Sequence, residues 1–208
     1  MKNIVIIGAG SFGREVYNLA LECKEYGSEY TIKGFIDNLY DTMEYDGYPS
    51  ILSRIDEYDP EENDVFVCAL GDVKWKKHYV QLILDKGGNF ITLIHPNTYI
   101  SRNVTIGNGC IICQQGFISC EVSIGDYTTI QPHVVVGHDC KIGNMCQINS
   151  NTSLGGGVKI EDNVTVHMGV VLLPQSKVHV NSVVGAGSVV LRKVPANTTV
   201  FGNPAYPI

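Results

Sequence analysis

Residues 118–148, ISCEVSIGDYTTIQPHVVVGHDCKIGNMCQI, carry an aliphatic side chain at every sixth position: Ile118, Ile124, Ile130, Val136, Ile142 and Ile148. The rhythm runs without a miss back to Ile94 and on to Val190. Four residues after each aliphatic stands a small or β-branched residue, from Thr98 through Cys140 and Cys146 to Ser188 and Val194. A period of six is neither the 3.6 of a helix nor the alternation of a flat strand. It suits a prism wound from short parallel strands, in which each hexad forms one flat face and tight corners join the faces. One large and one small side chain per hexad then point inward.

The first ninety or so residues obey a different rule. Aliphatic runs at Ile4–Ile7, Ile32–Ile36, Val65–Leu70 and Phe90–Ile94 alternate with helical spacing, at Val16, Leu19, Ala20 and Cys23 and again near Trp75–Lys86. That alternation predicts βαβ units and a parallel sheet. Gly47-Tyr48-Pro49 and Tyr58-Asp59-Pro60 mark loops. The expected fold is therefore α/β followed by β: a Rossmann-like domain over 1–92 and a solenoid of hexapeptide repeats over 93–208.

The 208 residues carry a formal charge of -6, without the basic excess that a phosphate backbone requires, so nucleic acid is not an expected partner. The opening MKNIVIIGAG has too short an apolar run for a signal peptide or membrane span, and a cytoplasmic location is expected. The seven cysteines are odd in number and scattered, and read as reduced core residues. Cys110 and Cys113 form a CxxC, but no second pair follows it, so no metal is expected.

Two stretches carry chemistry. GAGSFG, Gly8 to Gly13, sits between a predicted strand and a predicted helix, with Asp37 and Asn38 at the end of the next strand. A full dinucleotide site needs two mononucleotide halves, and the domain has length for one. The glycines either cradle one nucleotide or only shape a tight turn. Gly71 and Lys74, in LGDVKWK after a later strand, could reach the same ligand. The second stretch is His138-Asp139 in VVVGHDCKIG, a base with an adjacent acid, or otherwise a solvated corner.

The hexads resemble the hexapeptide-repeat left-handed β-helix, which implies three hexads per coil of eighteen residues and a left-handed winding. Residues eighteen apart then stack, giving the column Cys120, His138, Gly156, Pro174 and Arg192. One coil beyond His138 lies LGGG, Leu154 to Gly157, whose bare backbone N–H groups suit a close-approaching ligand.

IVIIGAGSFGREV, GHDCKIGNMCQI and the tail LPQSKV…VVGAGSVVLRKVPANTTVFGNPA together resemble the NeuD/PglD-type sugar acyltransferases over essentially the whole chain. The resemblance implies a homotrimer that transfers acetyl from acetyl-CoA to an amino group of a nucleotide-diphosphate sugar. His138 would be the general base, Asp139 its orienting partner and the Gly156 N–H a donor to the thioester oxygen. Gln147, Pro174, Ala186, Arg192, Lys193, Asn203 and Pro204 would line the cofactor. Gly8, Gly10, Ser11, Gly13, Asp37, Asn38, Gly71 and Lys74 would hold the nucleotide sugar. Many members have a histidine where this chain has Gln147, which can donate a hydrogen bond but does not titrate.

Two other activities use the same residues: O-acetylation of a sugar hydroxyl, and nucleotide-sugar sensing by a non-catalytic scaffold. A zinc site like that of the β-helical carbonic anhydrases would recruit His133 and His138, but its third ligand position holds Asn97. His167 and His179 are expected on the surface.

Overall fold

The computed structural model describes residues 1–39 and 46–208. The chain divides into two compact units, Met1–Pro96 and Asn97–Ile208.

The first unit contains β1 (Lys2–Ile7), α1 (Ser11–Glu22), β2 (Tyr30–Ile36), β3 (Ile51–Ser53), β4 (Asp64–Cys68), α2 (Val73–Asp85) and β5 (Asn89–Phe90). The sheet is parallel throughout, in the order β3-β2-β1-β4-β5. Ile4 to Ile7 of the central strand are fully buried, as expected for a parallel strand covered on both faces. Connections leave β1 toward β2 on one side and β4 lies on the other, so the order reverses beside β1. A crevice opens at such a reversal, outside the carboxyl ends of the strands. The edge strand β3 was not predicted, because its three residues follow a turn-rich stretch and carry no period of their own.

The second unit is a parallel β-solenoid of short strands, nearly all of two residues, in three sheets. Each strand pairs with those eighteen residues before and after it, for example Phe117 with Val135 and Val135 with Ser153. The aliphatic of each hexad points inward; Ile118, Ile130, Val136, Ile148 and Val166 are completely buried. The small inward residue does more than save space. The side chains of Thr98, Cys110, Thr128, Cys140, Cys146 and Thr152 each donate to a corner carbonyl fifteen residues on, at 2.7–3.2 Å. Those carbonyls would otherwise be unpaired inside the prism.

Corners turn through a left-handed residue three places after the aliphatic, often Asn or Gly, which adopt that conformation readily. Asp139, at φ 59°, is one of these.

Two features depart from a strict period. The last coil is shorter: Lys193 and Val194 pair with Lys177 and Val178, a spacing of sixteen. Val194 therefore fills the aliphatic position rather than the small one. Thr199–Phe201 is then met by an antiparallel strand, Tyr206–Pro207, the one reversed pairing among the described residues of this unit.

Candidate active site and nucleotide cavity

Corner backbone builds the His138–Asp139 pair. The left-handed turn at Asp139 brings its carboxylate to the preceding side chain, with Nδ1 of His138 2.6 Å from Oδ2 of Asp139. A carboxylate only accepts, so Nδ1 carries the proton, and in the neutral imidazole Nε2 then has the lone pair. Both side chains are exposed. The ring lies against the next coil: a Cβ built on Gly156 would fall 2.5 Å from Nε2 and 2.6 Å from Cε1. Glycine at 156 is what allows the imidazole to occupy this place.

The same glycine leaves a donor open. At the neighbouring corner, Asn108 N–H donates to Asp126 Oδ1, Asp126 N–H to Asn144 Oδ1 and Asn144 N–H to Asp162 Oδ1, at 2.7–2.8 Å. Each side chain thus caps the corner N–H of the coil before it. In the His138 column the corresponding residues are Gly156 and Pro174, which have no side-chain acceptor. The Gly156 N–H accordingly has no hydrogen-bond partner among the described residues. An oriented base beside an open backbone donor suits a reaction in which a proton leaves a nucleophile as negative charge grows on an oxygen. Cys140, the next residue, does not compete as a nucleophile. Its Sγ points inward to Gly155 O at 3.2 Å, and burial pushes its thiol up.

The structure gathers His138, Asp139, Gly156 and Pro174 at one corner. Pro174 is exposed and stacks on Gly155, whose Cβ would fall 2.6 Å from the proline nitrogen. Arg192 does not continue this column. Because the last coil is shortened, its carbonyl accepts from Lys177 N–H, as the Ser176 carbonyl accepts from Lys159 N–H one coil earlier. Arg192 thus stands in register with Ser176 rather than Pro174, exposed beside exposed Lys193. Ala186 and Asn203 are exposed and Pro204 is half-buried. Gln147 is on a different face, buried, its amide donating to Asn149 Oδ1 at 3.1 Å.

In the first unit a cavity of about 510 Å³ opens where the strand order reverses, lined by Gly8, Gly10, Ser11, Asp37, Asn38 and Gly71 among others. The cap of α1 is Gly10, without a side-chain hydrogen bond, so first-turn N–H groups are left for solvent or a ligand. Gly13 is needed for packing, because its Cα faces the Gly8 carbonyl with no room for a Cβ. Asp37 is buried, one oxygen accepting from Ala9 N–H and the other from Leu39 N–H, each at 2.7 Å. It ties the glycine turn to the end of β2, and each oxygen retains a second lone pair. Lys74 is outside the lining, its Nζ 5.7 Å from the Trp75 ring centre. Cys68, at the end of β4, is buried; burial pushes its thiol up to about 11, against the pull of the Lys76 charge.

The aromatic wall of this cavity was not anticipated. Trp75 and Tyr79 lie one turn apart on α2 with ring centres 5.8 Å apart and planes 21° from parallel. Asn38 holds the Tyr79 hydroxyl at 3.3 Å. Trp75 remains half exposed. The signal was present, since the chain's lone tryptophan sits four residues before a tyrosine on a predicted helix.

Comparison with known proteins bears on both units. Residues 3–83 match the family described as the PglD N-terminal domain, and residues 91–188 that described as the GMPPB C-terminal domain. Over 125 residues the chain is 31% identical to GDP-perosamine N-acetyltransferase of Escherichia coli O157:H7, covering 59% of this chain and 56% of the relative. Over 117 residues it is 29% identical to UDP-N-acetylbacillosamine N-acetyltransferase of Bacillus subtilis (strain 168), covering 54% and 51%. The chain spans about half the length of the curated relatives it matches. A mutant of perosamine N-acetyltransferase from Caulobacter crescentus, solved with CoA and GDP-perosamine, superposes with a TM-score of 0.90 at 25% identity, covering 100% of this chain and 97% of that one.

In sequence and fold the chain resembles the NeuD/PglD-type sugar acyltransferases. Its Cys110 and Cys113 are core residues. Among the described residues no group of three or more His, Cys, Asp or Glu is placed to hold a metal ion. No helix among them is long and apolar enough to cross a membrane.

Proposed function

We propose that this protein transfers acetyl from acetyl-CoA to an amino group on a nucleotide-linked sugar. The observation that carries the reading is the His138–Asp139 pair at 2.6 Å, its ring against Gly156, whose N–H is open. The relatives named above, N-acetyltransferases of nucleotide amino sugars, support nitrogen over oxygen as the acceptor.

In direct attack the amine nitrogen adds to the thioester carbonyl carbon while His138 Nε2 takes the amine proton. Asp139 stabilises the resulting imidazolium, and the Gly156 N–H receives the growing oxyanion. Collapse breaks the carbon–sulfur bond, and the proton held by His138 passes to the departing sulfur, giving CoA as the thiol.

The nucleotide belongs in the first unit's cavity, its diphosphate at the N-terminus of α1 and its base on the Trp75–Tyr79 wall. Trp75→Ala is expected to raise the KM for the nucleotide sugar about tenfold, since base–aromatic stacking contributes about 1–3 kcal/mol. The KM for acetyl-CoA should stay unchanged. Steady-state kinetics with each substrate varied checks this, and an unchanged sugar KM would take the base off this wall.

A homotrimer is part of the proposal. Tyr99, Phe117, Val135 and Val171 make an exposed apolar column along one prism face, with the first two rings stacked at 5.1 Å, a surface that suits a second copy. Incubating the purified protein with acetyl-CoA and a panel of GDP-, UDP- and dTDP-linked amino sugars and their hydroxyl counterparts tests the function. The expected result is a trimer on sedimentation, N-acetyl product and CoA thiol release. Product only from the hydroxyl sugars would make it an O-acetyltransferase; CoA binding without turnover would make it a scaffold.

A further inference from the structure

The polar side chains lining the first unit's cavity are not equally free to meet a ligand. Asp37 spends one bond from each oxygen on the glycine turn and the end of β2. Both ends of the Asn38 amide are committed, Oδ1 accepting from Ile55 N–H at 2.6 Å and Nδ2 donating to the Tyr79 hydroxyl at 3.3 Å. Ser11 opens α1, the place assigned above to the diphosphate. Asp72 differs. Its Oδ1 accepts from Trp75 N–H at 3.0 Å, and its other oxygen has no hydrogen-bond partner among the described residues. No ion pair among them neutralises it.

Asp72 caps α2 immediately before the Trp75–Tyr79 wall, and all three line the same cavity. The N–H of Gly71, also in the lining, has no hydrogen-bond partner among the described residues. A base lying on the wall thus has a carboxylate and a backbone donor as neighbours. The carboxylate's charge also repels a diphosphate, leaving that group to α1, whose cap is a bare glycine. Bases held outside a duplex are recognised by stacking and by bonds to the Watson–Crick edge. On that edge guanine sets two donors side by side, N1–H and the 2-amino group, next to the carbonyl O6. Uracil and thymine have one N–H between two carbonyls, so a carboxylate that takes the N–H turns its second oxygen against a carbonyl. Adenine and cytosine place an acceptor nitrogen where guanine has N1–H.

We infer that Asp72 is a specificity-determining residue that selects guanine, so that the sugar is carried on guanosine diphosphate. This selection rests on the nucleotide lying in this cavity, as proposed above. N1–H and the 2-amino group donate to the Asp72 carboxylate as a bidentate, charge-assisted pair, and O6 accepts from the Gly71 N–H. The wall supplies stacking that any base can use; the carboxylate supplies the choice among them.

The test is calorimetry of the full chain with GDP, UDP and two purine analogues. Inosine diphosphate lacks the 2-amino group, and xanthosine diphosphate has a carbonyl oxygen in its place. The wild type should bind GDP about tenfold to a hundredfold more tightly than the other three, the order of discrimination a bidentate pair gives. In Asp72→Asn the side-chain amide donates to the xanthine carbonyl, so xanthosine diphosphate should now bind more tightly than GDP. Asparagine caps a helix as well as aspartate does, so the thermal midpoint should hold, and loss of a cap alone would not reverse the order of two ligands. A wild type that binds UDP or inosine diphosphate as tightly as GDP overturns the inference and leaves the nucleotide in its cavity. An Asp72→Asn protein that still prefers GDP to xanthosine diphosphate also overturns it, reducing Asp72 to a helix cap. A wild type that binds none of the four overturns both.

Discussion

Replacing His138 with alanine is expected to lower kcat by about 10²- to 10⁴-fold, the range for loss of a positioned general base. The side chain is exposed and its hydrogen bond goes to its own neighbour Asp139, so the fold should tolerate the change within about 0.5 kcal/mol. CoA affinity should be nearly intact, because the imidazole acts on the nucleophile's proton. Asp139→Asn should cost less: an amide oxygen can still accept from Nδ1–H, but it carries no charge to stabilise the imidazolium. Steady-state kinetics beside CoA calorimetry separates these effects. A His138→Ala enzyme within a few-fold of wild type would remove His138 from the mechanism.

The second large effect is expected one coil away. Gly156→Ala places a methyl 2.5 Å from Nε2 and 2.6 Å from Cε1, so the ring has to swing off the prism. Gly156 itself is not in the left-handed region, and its backbone accepts alanine without strain. The cost therefore falls on geometry rather than stability. Displacing a catalytic group by about 1 Å is worth about 10²-fold. We expect kcat to fall by that order while the unfolding midpoint barely moves. The KM for acetyl-CoA should rise as well, because the methyl also crowds the approach to the open N–H. A Gly156→Ala variant with wild-type kcat would show that the ring does not work from this position. Gly157 is the contrast: at φ 69° an alanine there is strained whatever its surroundings, and stability should suffer first.

The solenoid was legible in the sequence because its interior tolerates so little. One large and one small residue must recur where three faces close on a narrow core, and that demand survives any variation at the corners. The shortened coil was not legible, because Val194 satisfies the small-residue spacing and the aliphatic strand position equally well. Only pairing with Val178 distinguishes them. Size alone also hid the hydrogen bonds of the inward Cys and Thr side chains, whose carbonyl partners fifteen residues on belong to the next coil. At the candidate site, the pairing of His138 with Asp139 and the nearness of Gly156 followed from adjacency and an eighteen-residue step. The burial of Gln147 did not, since an outward strand position says nothing about what covers it. In the first unit the glycine pattern located the cavity. It gave no hint that Asp37 spends both oxygens on backbone donors or that Gly13 serves packing.

The antiparallel strand Tyr206–Pro207 closes a sheet edge. Stacked parallel strands in register, about 4.8 Å apart, have the geometry of a cross-β fibre, and an open edge of that kind is a template for adding more chain. Here the sheet that ends at Thr199–Phe201 is covered by a strand running the other way, whose Pro207 has no N–H to offer a newcomer. On the adjacent face Pro195 follows directly after the terminal strand Lys193–Val194. A reversal of two residues and a pair of prolines thus make these two sheet edges poor templates for a further parallel strand.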